Sequence, residues 1–437
     1  MAEVTPFRGI RYRESIALDE VVAPPYDVIP AAQAVELRER SANNAVHLDL
    51  PVAPGEAACD AAYARAAATF EQWRAGGVLV RDATPCLYLV DQTYRGPDGR
   101  ERTRRGFIAR LRLADFAERV VLPHERTHAG PKIDRLSLYR ATHADLSQVF
   151  LLVPDDDGRV EDALAAAAEA TPAATAREAR DGDGNLHRIV PLAGPEVERV
   201  VALLRERRLY IADGHHRYET ALAYRDERRA AGDHSADTLM VYLCSMSDPG
   251  LTVFPTHRLV RNLAVPPLGE LLKRLQPLFE VVGMPVQGLE ASHILLDGLG
   301  EQAELGRVFG LYLAREDVCI AVRARQPEAS RRLVASGFSP DAAGLSVTVL
   351  HELVLYEALG MDPGRAEMHI DYATSVPDAL SVLASGRYAL GAFLNATLVS
   401  QVRAIADRGE TMPQKSTYFY PKLLTGLVFD ALGDRPT

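Results

Sequence analysis

Arg208-Leu209-Tyr210-Ile211-Ala212-Asp213-Gly214-His215-His216-Arg217-Tyr218-Glu219-Thr220-Ala221-Leu222-Ala223-Tyr224 passes from an apolar run, through a polar turn, into strong helix formers. The spacing predicts strand, tight turn, helix. A helix that starts so abruptly leaves the N–H groups of its first turn, and the positive end of its dipole, facing the turn. Gly214 lets backbone approach a guest closely, and His215, His216 and Arg217 add donors, so the junction suits an anion, phosphate first. The plainer alternative is a capped helix start, with Asp213 as the cap and both histidines in water. Five polar residues at one junction exceed what a cap requires.

Composition narrows the setting. Of the 437 residues, 47% are hydrophobic and 25% charged, which suits a globular chain with two or three cores. The net charge of −10 disfavours a nucleic-acid partner, because such proteins need a basic face to release counterions from phosphates. Met1-Ala2-Glu3-Val4-Thr5-Pro6 does not open a basic-then-apolar leader, and no stretch approaches the ~20 apolar residues of a membrane span. A cytoplasmic protein without a membrane partner is expected. Cys59, Cys86, Cys244 and Cys319 form no C-x-x-C pair, so they are expected to be reduced core residues rather than a zinc knuckle or disulfide framework. Among 49 basic residues only Lys132, Lys273, Lys415 and Lys422 are lysines. In such a background a retained lysine marks a place that needs a compact, rotatable ammonium rather than a planar fork; chance is the competing explanation. Lys273 lies in an ordinary solvated helix pattern, whereas the other three stand among crowded polar groups.

Along the chain, helices are expected at 31–40 and 56–74, the second stopped by Gly76-Gly77. Apolar runs at 86–92 and 104–113 flank Gly96-Pro97-Asp98-Gly99 and read as a hairpin. A strand at 149–153 precedes a segment rich in Ala, Asp, Thr and Gly up to Gly184, which reads as an insertion or flexible boundary. Pro195 opens a helix that leads into the strand before Asp213, and 238–246 reads as a buried strand. Beyond Asn262, helices at 268–278, 346–359, 377–383 and 398–408 alternate with strands at 279–282, 308–313, 318–322 and 388–394. Without a strict βαβ rhythm the class is α+β, with much antiparallel pairing. The expected division is 1–154, 155–262 and 263–437.

Four further segments carry chemistry. His124-Glu125-Arg126-Thr127-His128 spells H-E-x-x-H, but a zinc protease needs those histidines on one helical face. Pro123 before it and Gly130-Pro131 after it leave room for one turn at most. The segment reads as a polar loop that either brings His124, Glu125 and Lys132 to a shared site or serves structure alone; magnesium, held through carboxylates and substrate phosphates, remains compatible. Pro24-Pro25 aims Tyr26 and Asp27 with little entropic loss, the alternative being an ordinary turn with a solvated acid. Pro255-Thr256-His257-Arg258 is expected at a strand edge, with His257 either structural or a ligand and Arg258 beside it. Met412-Pro413-Gln414-Lys415-Ser416-Thr417-Tyr418-Phe419-Tyr420-Pro421-Lys422 is expected between a helix ending at Gly409 and another near Leu423. It either offers Lys415 and the hydroxyls of Ser416 and Thr417 to a phosphate, or packs its aromatics.

Ala212-Asp213-Gly214-His215-His216-Arg217-Tyr218-Glu219-Thr220-Ala221, the Pro-Pro-Tyr-Asp segment, Pro123-His124-Glu125 through Asp134-Arg135-Leu136, Pro255 to Arg258 and the 412–422 segment together resemble the signatures of the DUF1015 family, in order. These are large bacterial and archaeal proteins named for an unknown function. The Asp-Gly-His-His-Arg loop is also similar to the nucleotide-binding loop of the ParB/sulfiredoxin superfamily, which includes a free-serine kinase. That resemblance implies a ParB/sulfiredoxin-like nucleotide-binding core with additional α/β domains. It implies a small-molecule phosphotransferase acting on serine or a similar hydroxylated metabolite, with ATP, ADP, CTP or pyrophosphate and Mg2+ as cofactors. In this reading Gly214, His215, His216 and Arg217 cradle phosphates, with Ser416 and Thr417 beside them. Asp27 and Asp213 hold magnesium or take a proton, and Lys415 neutralises charge on the transferred group. Tyr26, His124, Glu125, Lys132, His257 and Arg258 would line the substrate side. The same site run backward gives a phosphatase or pyrophosphate-using enzyme, and without chemistry a nucleotide sensor. His215 stands where sulfiredoxins carry their reactive cysteine, so a sulfur reductase is disfavoured. The acceptor, the donor, the direction and the oligomeric state, a homo-oligomer included, are not fixed by sequence.

Overall fold

The protein is described by a computed structural model covering residues 1–127, 129–172, 175–301 and 307–433. Its contacts divide it into two units, one of 1–123, 127–252 and 419–437, the other of 124–126 and 253–418. The division differs from the expected breaks after 154 and 262, because the C-terminal segment returns to the first unit.

The first unit is built on a nine-stranded mixed sheet. Its spatial order is Val121–Leu122, Leu209–Asp213, Val149–Val153, Thr238–Ser245, Glu101–Arg112, Leu87–Arg95, Leu186–Leu192 and Arg177–Arg180, with Val4–Thr5 on Glu101–Arg112. Pairing is antiparallel except where Leu209–Asp213 meets Val121–Leu122 and where Thr238–Ser245 meets Val149–Val153. Alternation along the strands sends Leu89, Phe107, Leu151, Ile211 and Val241 to one face, where they form a core with helices. One of these is Arg159–Glu169, whose Val160, Ala163, Leu164 and Ala167 are buried at helical spacing. The segment expected as an insertion is therefore part of the core.

Several boundaries moved for identifiable reasons. The alanine-rich helix begins at Asp60 rather than Glu56, and Glu56 instead pairs with Arg65 at 2.7 Å. A helix at Ala129–Thr142 was not expected, yet Pro131 falls in its first turn, where the missing N–H costs nothing. No helix forms near Leu423. The segment there runs extended, with Thr425 bridging Ala23, Phe429 bridging Ile10, and Asp430–Ala431 pairing with Ala144–Asp145. Gly426 makes this path passable: its φ is +101°, and a Cβ there would meet the Ala45 Cβ at 3.0 Å. Cys59 is exposed, against expectation, whereas Cys86, Cys244 and Cys319 are buried.

The second unit carries a six-stranded antiparallel sheet in the order Phe279–Gln287, Val318–Ala324, Val308–Leu313, Leu390–Phe393, His257–Val260 and Ile370–Ala373. Pro255–Arg258 spans the start of His257–Val260, which lies one strand in from the edge of this sheet with all four residues buried. The expected helix at 346–359 forms as an α-turn, Ser346–Val349, followed by a π-helical stretch, Leu350–Ala358. Among the described residues no helix is long and apolar enough to cross a membrane.

The last strand of the first unit sets two buried carboxylates side by side. Asp430 takes both arms of Arg110 at 2.5 Å, while Asp145 accepts from the Tyr139 hydroxyl at 2.6 Å and the Met240 amide at 2.8 Å. Burial, reinforced by the charge of Asp430, pushes the Asp145 carboxyl up to about 7. A carboxyl raised on folding binds its proton more tightly in the native state, so its contribution is complete below about pH 4 and lost as pH rises through about 7. Replacing Asp145→Asn is expected to flatten that part of the melting-temperature profile between about pH 4 and 7. An unaltered profile, measured by calorimetry, would contradict the assignment.

Candidate functional site

The strand Leu209–Asp213 ends at Gly214, the N-cap of the helix His215–Ala230, with φ at +91°. The backbone there favours glycine, and a Cβ at Gly214 would stand 3.1 Å from the Arg217 guanidinium, which would have to shift slightly. The N-cap residue, a glycine, has no side chain to cap the helix, and Asp213 Oδ1 accepts the Gly214 amide at 2.9 Å. Its other oxygen, Oδ2, lies 3.2 Å from Lys422 Nζ and 3.8 Å from Arg217 Nη2. One carboxylate is thus flanked by two cations at a helix N-terminus.

Arg217 is buried and donates through Nη1 to the Gln148 carbonyl. Burial works against its charge, but Asp213, Asp27, Tyr26 and Asp49 outweigh that and hold its pKa above the ordinary value. His215 is buried and His216 half-buried, so the two histidines are not equivalent. Asp27 is exposed on a single 3-10 turn, Tyr26–Val28, that follows the diproline. Beneath it the Arg135 guanidinium lies 3.9 Å from the centre of the Tyr26 ring and is itself gripped by Asp49 at 3.0 Å and Asp134 at 2.6 Å. Burial raises the Tyr26 phenol to about 12, against the pull of Arg135, so it stays protonated at neutral pH.

Lys132 also reaches the same helix. Its ammonium lies 2.5 Å from Glu219, one turn beyond His216, and the Thr127 hydroxyl donates to the same carboxylate at 2.8 and 2.9 Å. Tyr26, Asp27, Lys132, Asp213, Gly214, His215, His216 and Arg217 therefore belong to the first unit.

His124, Glu125, His257, Arg258, Lys415, Ser416 and Thr417 belong to the second. There they hold one another. His124 Nε2 meets the Thr417 hydroxyl at 3.1 Å, and its carbonyl accepts the Met412 amide at 2.8 Å. Arg258, fully buried, donates to the carbonyls of Thr256 and, at 3.1 Å, Lys415, and to His351 Nε2 at 3.2 Å. Burial alone lowers its pKa to about 10. Ser416 is buried and donates to the Pro413 carbonyl, while its own carbonyl accepts from Thr397 at 2.8 Å. The hydroxyls expected for phosphate thus have internal partners. His128 lies outside the described residues, and His124 stands in a short extended stretch with Glu125 bridged to Met412, which is no zincin helix. Among the described residues no three His, Cys, Asp or Glu side chains are grouped to hold a metal ion.

Sequence reasoning did not assign Asp49, Arg135, Glu219 or Lys422 to this site. Lys422 carried a signal as one of four lysines and Arg135 and Glu219 as members of the signature segments, but their partners Asp213, Asp49 and Lys132 lie far away in sequence. The Asp49–Arg135 pair is sealed, each side chain at most 5% exposed. Replacing Asp49→Ala strands a buried guanidinium and is expected to cost ~3 kcal/mol in urea unfolding. A loss below ~1 kcal/mol would show that the pair does not hold the floor beneath Tyr26.

Residues 4–343 match the family described as "Protein of unknown function (DUF1015)", and the chain belongs to it. A search of the curated proteins found no match. Among solved structures, a free serine kinase in complex with AMP is 15% identical, with 72% of this chain and 88% of that one covered at a TM-score of 0.36. A conserved hypothetical protein from Pyrococcus furiosus is 14% identical, over 70% and 89% of the two chains, at 0.34. SbnI from Staphylococcus aureus, with a C-terminal truncation, is 8% identical, over 71% and 83%, at 0.32.

Proposed function

We propose that this DUF1015 member binds the phosphates of a nucleotide, or pyrophosphate, at the Gly214 junction and transfers a phosphoryl group to a small hydroxylated acceptor such as serine. The observation that carries the reading is the Asp213 carboxylate held between Lys422 and Arg217 at the mouth of the helix that begins after Gly214. Asp213 and Asp27 together offset the charges of Lys422 and Arg217, so the attraction for phosphate oxygens rests on the free amides and dipole of the helix N-terminus and on the donors around it. Phosphoryl transfer asks a protein mainly for such positioning and electrostatic stabilisation.

Within this reading the roles separate by environment. Gly214, His215, His216 and Arg217 face the phosphates. Asp213 is committed to the Gly214 amide and the two cations, which suits a positioning role better than metal binding. Asp27 is exposed, close enough to Arg217 to raise its pKa, and among the described residues shows no such commitment to a fixed partner. It is the better candidate for taking the acceptor hydroxyl proton or for a magnesium ion, which takes a few carboxylates and completes its shell with phosphate oxygens and water. As the acceptor oxygen bonds to phosphorus, the bridging P–O bond of the donor breaks and the shortened donor leaves with that electron pair. Lys415 belongs to the second unit, where Arg258 holds its carbonyl, and the roles above are assigned to residues of the first unit alone.

Asp27→Asn tests the reading. The variant is expected to bind nucleotide within about threefold of wild type while losing at least ~100-fold in phosphoryl transfer to serine, in the range for removing a general base. Equal turnover in the variant would remove Asp27 from the mechanism. Binding without turnover in the wild type, across hydroxylated amino acids and sugars, would make the protein a sensor.

A further inference from the structure

Lys422 stands 209 residues from Asp213 in sequence, and what holds it there is a row of polar side chains crossing three strands. Arg104 on Glu101–Arg112 lies directly opposite Gln92 on Leu87–Arg95, which lies directly opposite His187 on Leu186–Leu192. The bonds along this row are complete. Asp181 Oδ2 meets His187 Nε2 at 2.9 Å, and His187 Nδ1 meets Gln92 Nε2 at 3.1 Å. Gln92 Nε2 also donates to the Lys422 carbonyl at 3.1 Å, and its Oε1 accepts from Arg104 Nε at 3.1 Å. Arg104 then grips the carbonyls of Tyr420 at 3.2 Å and Pro421 at 2.6 Å. Because Gln92 donates to Nδ1, the other ring nitrogen of His187 carries the proton given to Asp181.

This arrangement is expensive. Arg104 is fully buried, and its hydrogen bonds go to neutral acceptors, with Phe150 and Tyr242 at 4.7 and 5.7 Å as aromatic neighbours. Burying a guanidinium to hold two carbonyls makes sense where the backbone beside them must be fixed. The residue so fixed is a lysine in a chain that uses arginine almost everywhere. Its pair with Asp213 remains reachable from solvent, the two side chains being 14% and 25% exposed, and Asp213 already has Arg217 beside the same oxygen.

On the reading of the Gly214 junction as a phosphate site, we propose that Lys422 is the cation that contacts the phosphate oxygens of a di- or triphosphate ligand, and that the His187–Gln92–Arg104 row positions it. Asp213 aims the ammonium, and the ligand's oxygens complete its coordination.

Isothermal titration of ATP, ADP and inorganic pyrophosphate into wild-type protein, Lys422→Met, Lys422→Arg and Lys273→Met tests the assignment. Lys422→Met is expected to weaken the tightest of the three probes by at least ~10-fold, the range of one charge-assisted contact, with Lys422→Arg recovering part of the loss. Lys273→Met, at an exposed helical position, is expected to stay within about twofold. Unchanged affinity in a Lys422→Met protein that melts as wild type overturns the assignment and leaves the phosphate site standing. Failure of all three probes to bind wild-type protein overturns the site itself. For the positioning row, Gln92→Leu and His187→Gln are each combined with Lys422→Met, so that one poorly folded variant leaves the other informative. Less-than-additive losses in binding are expected, and additive losses would show that the row serves the fold alone.

Discussion

A single carboxylate oxygen, Asp213 Oδ2, lies within 4 Å of both Lys422 and Arg217, and the rest of the first unit is arranged so that it can. The strand that ends in Asp213 is fixed between Val121–Leu122 and Val149–Val153. Gly214 adopts a left-handed conformation so that the helix can begin at once. Arg217 is anchored to the Gln148 backbone, and Lys422 is delivered by a segment from the far end of the chain. The carboxylate orders both cations beside the helix N-terminus, so that oxyanions meet their donors in one geometry.

Beneath the loop, the chemistry is that of a preorganised floor. Arg135 is neutralised by Asp49 and Asp134 and presents its face to Tyr26, so the turn carrying Asp27 rests on a stacked, buried ion cluster. Asp49 also accepts from Thr425 at 3.1 Å, which links the floor to the same returning segment that bears Lys422. Local rigidity of this sort lowers the reorganisation demanded when charge develops on a bound group.

What the sequence disclosed follows from the range of the interactions involved. The strand-turn-helix at 209–230 was legible because glycine, polar turn and helical period are all local. The hairpin at 87–112 and the α+β class were legible for the same reason. The helix at 129–142 was missed because Gly130-Pro131 reads as a break unless it is recognised as a first turn. The segment after Leu423 was misread as helix because its backbone pairs with residues near Ile10, Ala23 and Asp145, more than 270 residues earlier, and no local pattern reports that. Lys415 and Lys422 sit in one short motif with the same local credentials, yet the chain passes from one unit to the other between them. Only tertiary structure could separate a lysine beside Asp213 from one whose carbonyl is tied to Arg258.

The central claim is that amides after Asp213 receive negative oxygens. Hydrogen–deuterium exchange at peptide resolution, with and without saturating pyrophosphate, addresses that claim directly. The account predicts slowed exchange in peptides spanning 213–218 and 420–425, with the strands of the second unit unaffected. Protection confined to other segments, with 213–218 exchanging as in the free protein, would contradict it.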